Sequence, residues 1–281
     1  MRLQLFEDLK PIVPVRQGFR SGEIQFHDLM GGTEGTAENY GLQLVDVFDK
    51  FATPRHRHNF EQVRVMLDGS FGFGPEQVQH KGSVGYFCEG TYYTQNAEGR
   101  STTLLLQIGG PTGQGFMSRQ QLRRGIDELS ARGQFADGIY TWFDGQGKKH
   151  NQDSFEAVWE HIHGRPVAYP KPQYAAPILL EPERFAWRPL ASSPGASERE
   201  LGCFNSHGLR LAQLQLKAGA SHTLDAAEQA LLLFCLEGAG TAEGQRYARW
   251  TTLEIGRGET ARLAAASASE FFVFGLPRFA D

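Results

Sequence analysis

PRHRHNFEQVRVMLDGSFGFG, residues 54–74, is the stretch whose reading decides the fold. His56 and His58 stand two apart. On a β-strand, residues i and i+2 share a face, so both imidazoles project the same way. Asn59-Phe60 allows a corner, and the next strand begins at Glu61 or Gln62. Two neutral imidazoles plus an oxygen donor from the adjacent strand can form a three-ligand face on a divalent metal, leaving coordination positions open.

Working outward, two regions carry the same β-pattern. From about Gly22 to Gly109 the chain reads GEIQFHDL, YGLQLVDVFDKF, EQVRVML, SVGYFCEG and STTLLLQIG. From about Leu201 to Pro277 it reads GLRLAQLQLKAG, ALLLFCLEGAG, WTTLEIGRG and EFFVFGLP. Each is a short apolar or alternating run bounded by turn residues, the signature of strands. Glycine supplies 33 of 281 residues, about 12% against an average near 7%, and without a collagen-like period it marks many tight turns. The regions repeat one another. Gly41-Leu42-Gln43-Leu44 matches Gly208-Leu209-Arg210-Leu211, and Glu61-Gln62 matches Glu228-Gln229 at the same offset. Each Glu-Gln pair leads into an apolar strand ending in Asp68-Gly69 or Glu237-Gly238, which favours duplication.

The middle differs. MSRQQLRRGIDELSARG places Leu122, Ile126 and Leu129 at helical spacing behind Ser118 as N-cap. Ser154 is expected to cap FEAVWEHIHG, a second helix ending at Gly164. Prolines 166, 170, 172, 177, 182, 189 and 194 then forbid helix, and the aromatic residues among them predict an extended segment wrapped on a surface. The expected divisions are residues 1–110, 111–200 and 201–281.

The first motif resembles that of the cupin family: a glycine, five residues, H-x-H, three or four residues, Glu, six residues, Gly. Here His56-Arg57-His58 is followed by Gln62 in the acidic slot and by Gly69, with Lys50 at the opening glycine. Gly82, Cys88, Gly90, Tyr93 and Ala97 occupy the second motif, Cys88 replacing a proline and Tyr93 the last histidine ligand. The whole chain looks like a bacterial two-cupin group with an RHRHNF-type first motif, a GYF-x-EGT-x-Y second motif and a YEAxWEH-like middle. The resemblance implies an all-β fold of two double-stranded β-helix (jelly-roll) barrels joined by a helical and proline-rich connection. Carried over residue by residue, it makes His56, His58, Gln62 and Tyr93 the metal set. Tyr93 is a fourth ligand or a substrate-orienting hydroxyl; Fe(III) favours a phenolate, while Zn(II), Ni(II) and Mn(II) do so less. In the second barrel the H-x-H slot holds His222-Thr223-Leu224, and no histidine follows, so that half is expected to be structural.

Other residues carry two readings. Arg64 shares a strand face with Gln62 and would suit a substrate carboxylate, or points to water. Tyr86 lines the pocket or packs; Gln95 makes a polar contact near Tyr93 or belongs to a turn. Alternation sets Glu61 opposite Gln62. His161 and His163, two apart on a helix, diverge too far to chelate one ion.

Composition excludes several classes. There are 28 basic and 32 acidic residues, a net charge of −4, so neither nucleic acid nor a membrane surface is an expected partner. Cys88, Cys203 and Cys235 form no CxxC pair and read as free, buried thiols of a reducing cytoplasm. No apolar run is long enough to span a bilayer. The expected activity is metal-dependent chemistry on a small organic molecule: a dioxygenase with Fe, or an isomerase or lyase with Zn, Ni or Mn. The alternative is a non-catalytic bicupin that binds or senses a small molecule. The apolar strands VRVML and LLLFC predict a homodimer or close packing of the barrels.

Overall fold

A computed structural model describes residues 1–281 apart from 11, 13–23, 37, 75, 115, 280 and 281, and apart from the side chain of Pro54. Two compact units emerge: residues 11–179, and residues 1–10 together with 180–281.

The unit of residues 11–179 carries the expected barrel. One antiparallel sheet runs Val84–Phe87, Glu61–Asp68, Ser101–Ile108, Tyr40–Val47, Ile24–Gly31, in that spatial order. The facing sheet runs Phe51–His56, Tyr93–Ala97, Ser70–Gly74, Gln77–His80. Neighbours in space are rarely neighbours in sequence, which is the jelly-roll signature. Register decides which side chains enter. Gln62 lies opposite Phe87 on one side and Gln107 on the other. By the two-residue period, Arg64 and Met66 share its face. Below them Phe51, Phe71, Phe73, Phe87 and Tyr93 form a buried cluster with Val47 and Ala97. On the opposite face Val63, Leu104, Leu106 and Tyr86 are also buried.

The other unit repeats the order strand for strand. Thr252–Ile255, Leu231–Glu237, Ser269–Gly275, Arg210–Leu216 and Ala196–Cys203 form one sheet; Ser221–Asp225, Thr260–Ala265, Gly240–Ala242 and Gln245–Tyr247 form the other. Gly69 and Gly238 close equivalent strands with φ of +75° and +98°. A Cβ at Gly69 would lie 2.4 Å from the Arg100 carbonyl, and one at Gly238 would lie 2.3 Å from the Ser269 hydroxyl. Both turns therefore demand glycine. The Glu-Gln match is less faithful. Glu61-Gln62 opens its strand, whereas Glu228-Gln229 precedes the strand that starts at Leu231.

Three expectations about the flanks and the middle need correction. Residues 111–179 belong with the first barrel, and residues 1–10 with the second, where Arg2–Gln4 pairs with Thr252–Ile255 and extends its sheet. The first helix, Arg119–Ser130, is capped by Ser118 in a reciprocal box with Gln121. The second, Ser154–His163, is capped by Asp153 instead of Ser154. The Asp153 carboxylate accepts from the backbone N–H of Phe155 and Glu156, and its charge also suits the helix N-terminus. Gly164, at φ +63°, ends that helix. Between the helices lies a three-stranded sheet, Gly133–Ala136, Ile139–Phe143 and Lys149–Asp153, that the sequence reading leaves out. Met117, Ile126, Leu129, Tyr140, Val158 and Trp159 bury its junction with the helices. Cys88 and Cys235 are buried free thiols, but Cys203 is exposed. No helix among the described residues is long and apolar enough to cross a membrane.

Candidate functional site

The corner between two strands brings the imidazoles together. His56 ends the Phe51–His56 strand opposite Tyr93, and His58 follows two residues on. The His56 and His58 ring centres are 5.1 Å apart at 82°. Two imidazoles bound to one ion at about 2.1 Å have ring centres on the order of 4.5–5.2 Å apart. The observed pair fits. Tyr93 completes the group, its ring centre 4.6 Å from His56 and 6.0 Å from His58. Thr53 Oγ1 meets His56 Nδ1 at 3.3 Å, a contact that helps orient the ring.

Beneath the rings runs a buried chain of amides. Gln62 Nε2 donates to the Tyr93 hydroxyl at 2.5 Å. Gln62 Oε1 accepts from Arg64 Nη2 at 3.1 Å and from Gln107 Nε2 at 3.2 Å. Arg64 thus points inward, with its guanidinium carbon 5.3 Å and 5.5 Å from the ring centres of Phe73 and Phe87. Gln95 shares the inward face of its strand with Tyr93. The four residues of the expected metal set do converge. Among the described residues no cluster of three His, Cys, Asp or Glu side chains could hold a metal. Here the donors beyond the two histidines are an amide and a phenol.

The rim is aromatic, and the middle segment supplies most of it. His58 packs on Phe60, with ring centres 4.5 Å apart, and edge-on against Phe155, 5.6 Å away. Phe116 meets Phe60 at 5.4 Å. Gly41, opposite Gln107, leaves room for it: a Cβ there would sit 3.0 Å from the Phe116 ring. Phe155 opens the second helix, so that helix is a wall of the site. Nothing in the sequence marked Gln107, Phe116 or Phe155 as part of this site.

Tyr86 lies elsewhere. It sits opposite Val63, on the far face of the sheet, and donates to Glu61 Oε1 at 2.8 Å. Burial, reinforced by the Glu61 carboxylate, pushes the Tyr86 phenol far above its ordinary range, so it stays neutral. Tyr174, from the extended segment, packs edge-on against it at 5.9 Å. Tyr86 is therefore part of the packing, and Glu61 shares its face as alternation predicts. His161 contacts Glu128, and His163 stacks on Trp159 at 4.2 Å. In the second barrel His222 meets Ser193 Oγ at 2.9 Å, and the interior is an apolar cluster including Leu214, Leu233, Leu253, Leu263 and Phe271.

No family model and no curated protein matches the sequence. Solved structures do match. Oxalate decarboxylase from Bacillus subtilis aligns over 98% of this chain and 76% of its own, with TM-score 0.57 and 13% identity. The pirin YhhW of Escherichia coli, solved in complex with nickel(II), aligns over 99% of both chains with TM-score 0.56 and 11% identity. A protein from Geobacillus kaustophilus aligns over 98% and 95%, with TM-score 0.55 and 12% identity. Mn(II) centres are described in the B. subtilis decarboxylase. At these identities the likeness shows the fold: this chain has the two-barrel cupin fold, which it shares with metal-dependent enzymes.

Proposed function

We propose that the barrel of residues 24–108 is a metal-dependent catalytic site for a small organic acid. The observation that carries the reading is the convergence of His56, His58 and Tyr93 above the buried Gln62. His56 and His58 would hold the metal, with Tyr93 as the oxygen donor beside them and Gln62 beneath, bonded to the Tyr93 hydroxyl. A bound divalent ion supplies Lewis-acid polarisation of a carbonyl or enol oxygen, and iron adds oxygen chemistry.

The chain's own residues do the rest. Thr53 holds the His56 ring through Nδ1. Phe60 and Phe155 hold the His58 ring and, with Phe116, keep water from the imidazoles. Arg64 presents a buried cation near the Phe73 and Phe87 rings, its N–H edge already donating to Gln62. A substrate carboxylate matches that edge in charge and in fork geometry. The Tyr93 hydroxyl would hold or pass a proton to a substrate oxygen. The apolar interior of the second barrel suits a structural role.

Calorimetric titration of the chelated protein with Fe(II), Mn(II), Ni(II) and Zn(II), followed by assay of each loaded form on a panel of small carboxylic acids, tests the reading. One ion per chain is expected, lost in His56→Ala with His58→Ala, together with turnover of at least one acid. Uptake of no ion by the native protein contradicts the metal centre. Metal-independent acid binding, retained in the double variant, favours a sensing bicupin.

A further inference from the structure

We infer that Gln62 is a positioning residue and not a metal ligand, and that Tyr93 supplies the oxygen that completes the face begun by His56 and His58. The part concerning ligands rests on the metal-centre reading above; the orientation of Gln62 does not.

The argument starts from what each partner can do. An arginine only donates hydrogen bonds. The Gln62 atom facing Arg64 Nη2 at 3.1 Å must therefore be Oε1, which removes the usual ambiguity about which way an amide points. Gln107 Nε2, at 3.2 Å, takes the second lone pair of the same oxygen. With both lone pairs engaged, the amide plane is pinned. Nε2 then faces Tyr93, whose hydroxyl oxygen accepts at 2.5 Å. A hydroxyl that accepts on that side keeps its proton and its remaining lone pair for the other side. The His56 and His58 ring centres lie 4.6 Å and 6.0 Å from the Tyr93 ring centre. For Gln62 to ligate an ion, Oε1 would have to leave Arg64 and Gln107. The amide N–H would then confront the guanidinium, donor against donor. The burial of Gln62 leaves no water to repair that arrangement. The family resemblance assigns Gln62 to the acidic ligand slot; Arg64 and Gln107 turn it away. The resulting donor set is two imidazoles and a phenol oxygen, which among the candidate ions best suits oxidised iron.

Two measurements on the full chain test this. In chelated protein labelled with 15N-glutamine, the Gln62 side-chain amide protons are expected to resist exchange and to shift when Tyr93→Phe removes the hydroxyl. Solvent-like exchange, or no response to Tyr93→Phe, overturns the positioning role. In protein loaded with Fe(III), a visible phenolate-to-iron charge-transfer band is expected. It should vanish in Tyr93→Phe and persist, displaced, in Gln62→Leu. Zn(II) affinity of Gln62→Leu should fall by about 10–100-fold, the range for a group that supports a ligand without touching the metal. A complete loss of Zn(II) in Gln62→Leu, matching His58→Ala, makes Gln62 a ligand and overturns the inference. Iron bound without the band overturns the role of Tyr93. Should native protein take up no metal while the amide signature is intact, the metal-centre reading and the ligand assignment fall and the orientation of Gln62 stands. Circular dichroism of each variant, with Gln62→Glu as a second substitution that keeps the shape, separates these outcomes from misfolding.

Discussion

Replacing Gln62 with leucine removes three hydrogen bonds from inside the barrel at nearly constant volume. The partners are Arg64 at 3.1 Å, Gln107 at 3.2 Å and Tyr93 at 2.5 Å. A neutral hydrogen bond contributes about 1 kcal/mol net and one to a charged group about 1.5–3 kcal/mol. The three together are therefore worth about 4 kcal/mol. Burying leucine in place of an amide offsets about 1–2 kcal/mol of this. The expected net loss is about 2–3 kcal/mol, or roughly 5–10 °C in Tm for a unit of this size. Urea denaturation followed by tryptophan fluorescence measures it, with Trp142 and Trp159 reporting on residues 11–179. A double-mutant cycle with Tyr93→Phe isolates the bond between them and should give a coupling of about 1 kcal/mol. A loss under about 0.5 kcal/mol, with no coupling, would refute the pinned amide and the energetic reasoning behind it.

A thiol reagent at neutral pH should label Cys203 rapidly and Cys88 and Cys235 slowly, because only Cys203 is exposed and burial pushes the Cys235 thiol up to about 12; equal labelling of all three would contradict the burial. Burial holds His163 and His222 below the usual imidazole range. The unfolded chain therefore takes up those protons first, so stability is fully present above about pH 6.5 and falls as pH drops through the lowered folded values. Tm measured against pH should show this decline, and His222→Gln should flatten it; an unchanged slope counts against the assignment. Trp159 is fully buried between the helices and the small sheet, and Trp159→Ala should cost about 3–5 kcal/mol in the unfolding of residues 11–179. A cost near zero would mean that those helices do not pack as described.

The barrel was legible because its cause is local. Alternation in EQVRVML put Gln62 and Arg64 on one face and Glu61 on the other, and the H-x-H spacing put two imidazoles on one side of a corner. Glycines at Asp68-Gly69 and Glu237-Gly238 marked turns that the backbone requires. What was not legible depends on distant packing. Tyr86 and Phe87 are consecutive, and only the register with Val63 and Gln62 decides which of them enters the barrel. The sheet of residues 133–153 has strands of four or five residues, too short to assert a period. Phe116 and Phe155 reach His58 and Phe60 from far along the chain, and no local pattern announces that. Ser154 lost the cap to Asp153 because a carboxylate satisfies two helical N–H groups and opposes the end dipole as well.

The central claim is that one ion sits between His56 and His58, and electron spin-echo spectroscopy of the Cu(II)-loaded protein tests it most directly. The modulation from remote imidazole nitrogens should report two equivalent rings in the native protein. It should report one ring in His56→Ala and in His58→Ala alike. Modulation from a single ring in the native protein, or a pattern unaltered by either substitution, would contradict the claim.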